Sequence, residues 1–450
     1  MLKRNDPPAL DQPPPQPIPP KRTGPGSRGL VPGSATAKAL YQVWSGTPVT
    51  VVKSPPGAGK TALVVDVVRQ LLTRASLTVY VVAPNNSQVA ALAGRLADAL
   101  PTDSVLVLAK KIKPEDVPDA VFHGDRERFR RLASAHVTVC TIARAMVTPP
   151  ACDVMIVDES YQATHQQVRS AMAKSDQVLL VGDPGQIGPV VTVRTDLYTG
   201  PTAPHLRAPD VFDRHLDAVV LTLPHTYRFG AATARALAPL YDFGFGSARP
   251  PRCVIGLPEL DSIRVDGVDD GNTDEDLLQA TVHRAVSLVG RVADVDGELL
   301  SVTDRDVAVV ASHNVQVALL RGMLAAQGHP DLMVGTADKL QGGQWEAVVA
   351  VDPLAGGVQG SHATSLGRLC VMASRHQSHL TWVHDGRWDR AIGVDGSLTA
   401  ADRRRARSVR QHLTVSPSGP GETGSGGRGR VSAGYTEVLP DEFDDDRGAV

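Results

Sequence analysis

The sequence predicts an α/β protein with two tandem domains built on mainly parallel sheets, and three observations carry that expectation. Short Val-rich runs recur at Val49–Val52, Thr78–Val82, Val137–Thr141, Val154–Val157, Val178–Val181, Val219–Leu223, Val307–Val310, Ala347–Val351 and Leu380–Val383. They are near-continuously apolar rather than alternating, as strands buried on both faces are. Helical patterns such as Ser87–Leu100 fill several gaps, and nine strands exceed what one mononucleotide-binding sheet needs.

The divisions follow composition. Residues 1–33 are crowded with proline, and from about Ser416 the chain is Gly/Ser-rich and then acidic at Asp441–Asp446, so both ends read as disordered tails that either recruit a protein partner or are simply solvated. Pro/Gly/Asp-rich stretches at Ser247–Pro258 and Asp266–Asp276 lie where one sheet can give way to the next. The expected division is a tail over 1–33, a first domain over 34–225, a second over 226–400, and a basic, then Gly/Ser-rich and acidic tail over 401–450.

A length of 450 residues allows about two to four domains. No stretch approaches the roughly 18 apolar residues of a membrane span, and no apolar segment follows the N-terminal charges, so a cytoplasmic protein without membrane contact is expected. Cys140, Cys152, Cys253 and Cys370 make no CxxC pair, which argues against a zinc site or disulfide framework. A formal net charge of −2 means that any nucleic-acid binding rests on a local groove.

The chemistry starts at Ser54-Pro55-Pro56-Gly57-Ala58-Gly59-Lys60-Thr61, between an apolar strand and a helix. Glycines in such a loop let backbone N–H groups wrap a triphosphate at a helix N-terminus, Lys60 neutralises phosphate oxygens, and the Thr61 hydroxyl can ligate Mg²⁺. Pro56, Gly57, Ala58, Gly59, Lys60, Thr61 and Ala62 are therefore the expected contacts of a nucleoside triphosphate, although Ser54 stands where the consensus has glycine. About 100 residues after Lys60, the strand Asp153–Val157 ends in Asp158-Glu159. Asp158 suits Mg²⁺, and Glu159 suits orientation and deprotonation of an attacking water. A further apolar strand ends in Gly182-Asp183-Pro184-Gly185-Gln186, which carries Gln186 to the sheet edge where ligands bind.

These three clusters resemble motifs I, II and III of superfamily 1 helicases, most closely the group containing the nonsense-mediated-decay helicase, with Asp158-Glu159-Ser160-Tyr161-Gln162 and Gly182-Asp183-Pro184-Gly185-Gln186 in the second and third. Leu221–Phe229 resembles motif IV, Val334–Val349 motif V and Gly367–His376 motif VI. The resemblance covers about Val49 to Val383 and implies two RecA-like P-loop domains with ATP and Mg²⁺ in the cleft. It assigns Tyr227 to base stacking, and Gln186, Arg228 and Arg375 to the γ-phosphate. It also implies single-stranded DNA or RNA across the domain tops, contacted by Pro84, Asn85, Asn86, Thr141 and Thr336.

Three positions depart from the pattern. Gln344 stands where motif V usually has glutamate, with Glu346 two positions later; motif VI keeps little besides its arginine; and Gln42 lies too close to the phosphate loop to read adenine. Asn86 or Ser87 also suits a cap for the Val89–Leu100 helix. The basic runs Lys110–Lys113 and Arg403–Arg407 suit either phosphate grip or a solvated face. Little room exists for accessory domains, so a near-minimal motor that translocates on a single strand is expected. Two alternatives stay open: an ATP-dependent switch or scaffold, and a single-domain PhoH-like ATPase, which shares the Gly-Asp-Pro-x-Gln element.

Overall fold

The computed structural model describes residues 31–414 apart from 76, 102–103, 110–111, 113–116, 119–120, 124–136, 193 and 270. The two compositional tails lie almost wholly outside the described residues, as do Lys110, Lys111 and Lys113.

Among the described residues the first half of the chain forms one eight-stranded sheet. Its strands are β1 (Val49–Lys53), β2 (Val79–Ala83), β3 (Val105–Leu108), β4 (Val121–His123), β5 (Val137–Thr141), β6 (Cys152–Val157), β7 (Ser175–Gly182) and β8 (Ala218–Thr222). They run in the order β4-β3-β5-β2-β6-β7-β1-β8 with every pairing parallel. Apolar runs produce this because both faces are covered: Val52, Val154 and Ile156 join one core, and Val49, Val51, Met155 and Val157 the other.

A connector follows, with β9 (His225–Thr226), β10 (Gly246–Ser247) and β11 (Arg252–Val254). β9 and β10 pair in parallel. The second sheet comprises β12 (Leu260–Arg264), β15 (Val307–Ala311), β16 (Met333–Thr336), β17 (Trp345–Val351) and β18 (His376–His384), all parallel, in the order β12-β18-β17-β15-β16. It too is covered on both faces, with Ala347, Val349 and Val351 in one core and Val348 and Ala350 in the other. An antiparallel flap joins β11 to β13 (Val292–Val295) and β14 (Glu298–Ser301). Two tandem parallel α/β sheets of this kind are the RecA-like plan.

The nine apolar runs all lie in these two sheets. The Asp266–Asp276 stretch is not a boundary: it follows β12 and opens the first crossover within the second sheet.

The basic run Arg403–Arg407 corrects the expected tail. It lies in a helix, Ala400–Leu413, whose N-terminus Thr399 caps by accepting from the Asp402 N–H at 3.1 Å. Ala406, Val409, Arg410 and Leu413 are buried, and Val409 and Leu413 pack in the same core as Trp382. Arg410 Nε donates to Asp352 Oδ2 at 3.1 Å, and Trp382 Nε1 donates to the same oxygen at 3.1 Å. This helix is integral to the second sheet's packing.

Strand β18 also buries His376 and His379. His379 Nε2 lies 2.7 Å from Thr381 Oγ1 and 3.1 Å from an Arg284 nitrogen, and burial, reinforced by that cation, pushes its pKa down to about 3. Because the folded value lies below the ordinary 6.5, the unfolded chain binds the proton first. Stability is therefore full above pH 6.5 and falls as pH drops toward 3. His379 alone is expected to remove about 2 kcal/mol between pH 6.5 and 5. Urea midpoints at the two pH values check this, and a His379→Gln protein with an unchanged pH slope would refute it.

Among the described residues no helix is long and apolar enough to cross a membrane, all four cysteines are free, and no group of three His, Cys, Asp or Glu side chains gathers to hold a metal.

Candidate nucleotide site

The site assembles at the C-terminal ends of β1, β6 and β7. Beyond β1 the chain turns through the glycine loop into the helix Lys60–Ala75. Gly57 and Gly59 have φ of +73° and +85°, a region open to glycine at little cost. A Cβ on Gly57 would also stand 2.5 Å from Arg228 Cβ, so this position admits no side chain. Pro56, Ala58 and Lys60 are buried, Thr61 is half-buried, and Gly59 and Ala62 are exposed at the mouth.

Ser54 explains its own departure from the consensus. It is fully buried, its N–H and its hydroxyl both donate to the Gly182 carbonyl at 3.0 Å, and it thereby ties the root of the loop to the end of β7.

Asp158 and Glu159 sit at the end of β6. Asp158 is buried, and its Oδ1 accepts the Glu159 N–H at 2.9 Å. Burial, aided by the neighbouring Glu159 carboxylate and opposed by Lys60, raises its pKa to about 7. Glu159 has φ 50° and ψ 40°, a left-handed conformation that costs a non-glycine residue on the order of 1–3 kcal/mol. Lys60 Nζ lies 3.6 Å from Glu159 Oε1.

Asp183, at the end of β7, organises the third cluster. It accepts from the Gly185 N–H at 2.9 Å, the Tyr241 hydroxyl at 2.9 Å and the Gln186 amide at 2.7 Å. Burial raises its pKa. Gln186 Oε1 in turn accepts from Gln341 Nε2 at 3.2 Å, so the third cluster of the first sheet touches an element of the second. The helix Leu366–Ala373 approaches here so closely that a Cβ on Gly367 would lie 2.7 Å from the Gln186 carbonyl oxygen.

The connector is strapped to the phosphate loop. The Thr226 hydroxyl donates to the Pro56 carbonyl at 2.7 Å and the Tyr227 N–H donates to the Gly57 carbonyl at 2.9 Å. Tyr227 is consequently held beside the loop with half of its surface exposed. Arg228, next in the chain, reaches the other way: its Nε donates to Gln344 Oε1 at 3.2 Å and a terminal nitrogen donates to the Ser374 carbonyl at 3.1 Å. Burial and the nearby Arg375 guanidinium push the Arg228 pKa down to about 9. Arg375 is buried and donates to the carbonyls of Val371 and Gly343 and to the Ser374 hydroxyl. Neither arginine has a carboxylate partner among the described residues.

The expected strand-contact residues fall at two sheet edges. Ala83 and Thr141 are register partners, which sets Pro84, Asn85 and Asn86 beside Thr141 at one C-terminal edge. Asn85, rather than Asn86 or Ser87, caps the helix Asn86–Ala99, accepting from the Gln88 N–H at 3.0 Å and the Ser87 hydroxyl at 2.7 Å. Thr141 caps the next helix by accepting from the Arg144 N–H. Thr336 ends β16 in the second sheet and is buried.

Sequence reasoning passed over Gln341, Thr226 and Tyr241. The first flanks the glycines of the fifth motif and carried a signal. Thr226 and Tyr241 act through single oxygen contacts that no spacing rule reports. Glu346, two positions beyond the place where motif V usually has glutamate, is buried and binds Arg252 at 2.7 Å and the Ser378 hydroxyl.

A glycine loop, two strand-end carboxylates and two arginines without carboxylate partners among the described residues are set on tandem parallel sheets, an arrangement that resembles that of P-loop helicases. Residues 35–207 match the model of an AAA domain. The sequence is 24% identical over 372 residues to DNA-binding protein SMUBP-2 of Rattus norvegicus, covering 67% of this chain and 37% of that protein. It is 27% identical over 207 residues to Regulator of nonsense transcripts 1 of Caenorhabditis elegans, covering 37% of this chain and 19% of that one. The chain thus resembles the superfamily 1 helicases of the nonsense-mediated-decay group, and its matches span between about a fifth and little more than a third of the length of these curated relatives. Among solved structures, the arterivirus nonstructural protein 10 helicase aligns with a TM-score of 0.46 at 16% identity, over 80% of this chain and 64% of that one.

Proposed function

We propose that the chain is an ATP-dependent superfamily 1 helicase or single-strand nucleic-acid translocase that couples ATP hydrolysis to movement on DNA or RNA. The observation that carries this reading is the pair Arg228 and Arg375, two guanidiniums whose hydrogen-bond partners are all neutral oxygens, the first of them on a residue whose Cβ abuts Gly57 of the phosphate loop. The half-buried Arg228 and the buried Arg375 favour an incoming anion, and a γ-phosphoryl group answers the need.

On this reading Lys60 leaves Glu159 for the phosphates, which frees the Glu159 carboxylate to orient water and take its proton. Arg228, Arg375 and Gln186 stabilise charge on the γ-phosphoryl oxygens, and the exposed Tyr227 ring stacks on the base. The residues fit Mg²⁺: Thr61 and the buried Asp158, whose carboxylate takes only one backbone N–H, would hold it, and the ion would neutralise phosphate charge. Pro84, Asn85, Asn86, Thr141 and Thr336 would contact the phosphodiester backbone, which positions a strand without reading its sequence. The proposed units are the segments 34–225 and 226–400, with the helix through Leu413 added to the second.

ATP hydrolysis with and without single-stranded DNA and RNA, on the wild type and on Lys60→Ala, tests the proposal. A strand-stimulated rate that Lys60→Ala abolishes is expected. A chain that neither binds single strands nor hydrolyses faster in their presence refutes the motor.

A further inference from the structure

Arg228 is positioned from two sides. Its backbone belongs to the strap that Thr226 and Tyr227 fasten to the phosphate loop, whereas its guanidinium is held by Gln344, just ahead of β17, and by the Ser374 carbonyl, just ahead of β18. Arg228 therefore bridges the two sheets, its backbone beside the first sheet's phosphate loop and its guanidinium on the second sheet. Both holds are neutral. Gln344 is exposed and offers one amide oxygen at 3.2 Å, and the buried Arg375 next to Ser374 adds repulsion rather than attraction.

The chemistry at position 344 decides how firmly this hold grips. An amide oxygen accepts one neutral hydrogen bond from the arginine. A carboxylate in its place would make a charge-assisted bond and could engage the guanidinium fork through two oxygens. Such a partner would have to be given up before Arg228 turned to a phosphate.

We propose that Gln344 is a positioning residue: it parks Arg228 on the second sheet through a weak neutral bond, and its lack of charge keeps the guanidinium free to transfer to the γ-phosphate. This inference rests on the nucleotide-site reading above. It makes Gln344 a determinant of triphosphate over diphosphate preference, acting only through Arg228.

The test is equilibrium binding of ADP and of a non-hydrolysable ATP analogue to the full chain, for the wild type, Gln344→Glu, Arg228→Ala and the double variant. Gln344→Glu is expected to weaken the ATP analogue about two- to fivefold, the scale of an exposed ion pair that must be broken. It should leave ADP, which lacks the group Arg228 seeks, unchanged. In the Arg228→Ala background Gln344→Glu should have no effect on either ligand. Equal weakening of ADP and analogue, no weakening of the analogue, or a loss that persists without Arg228 would each overturn the proposal. The last result would mean that the new carboxylate repels phosphate directly. A wild type that binds neither nucleotide would instead refute the nucleotide site itself.

Discussion

Glu159→Gln is expected to lower the rate of ATP hydrolysis by about 10²- to 10⁴-fold, the usual contribution of a positioned general base, while nucleotide still binds. The amide keeps the size and shape of the side chain, so the left-handed turn at φ 50° is no harder for glutamine than for glutamate. What is lost is the ability to take a proton. Binding should hold or tighten, because the substitution also removes the 3.6 Å ion pair that occupies Lys60 before nucleotide arrives. Single-turnover hydrolysis and a binding titration on the same preparation separate the two effects. Slow hydrolysis that ignores the substitution would favour the reading in which ATP only sets a conformation.

The second large effect is on stability. Arg410→Met leaves Asp352 buried with Trp382 as its one remaining side-chain partner among the described residues. Stranding one member of a buried ion pair costs about 3–5 kcal/mol. For a unit the size of the second sheet and its helices, the melting temperature should fall by about 10 °C. Replacing both members, Arg410→Met with Asp352→Leu, should recover much of the loss, since no buried charge then lacks a partner. If Arg410→Met melted like the wild type, the helix Ala400–Leu413 would not be docked through this pair.

That helix also shows where sequence reading stops. Four arginines in the five residues 403–407 resemble a solvated tail, and the inward-facing apolar residues are only Ala406, Val409 and Leu413. The decisive inward residue is a charge, Arg410, whose partner lies 58 positions away. By contrast the central strands were legible because burial on both faces leaves no polar interruptions: β1, β6 and β17 announce themselves. The edge strand β12, Leu-Asp-Ser-Ile-Arg, is half-buried and mixed, so it carried no apolar run. At the candidate site, Lys60, Asp158 and Glu159 stood out because each ends or begins an apolar element. The partners Thr226 and Tyr241 did not, since their roles depend on pairings across dozens of positions that leave no trace in residue identity.

The strap between Thr226, Tyr227 and the phosphate loop bears on how the molecule can be taken apart. A cut drawn at the end of the last strand of the first sheet would part Thr226 and Tyr227 from the loop they hold and leave the Pro56 and Gly57 carbonyls facing water. The connector closes on itself through β9 and β10, with the Ala248 N–H donating to the Thr226 carbonyl at 2.9 Å and the Ser247 hydroxyl to the Phe229 carbonyl at 2.7 Å. Phe229, Ala234 and Leu237 of that same connector pack in one core with Val348 and Trp382, so no single cut leaves both the phosphate loop's strap and the second sheet's core whole.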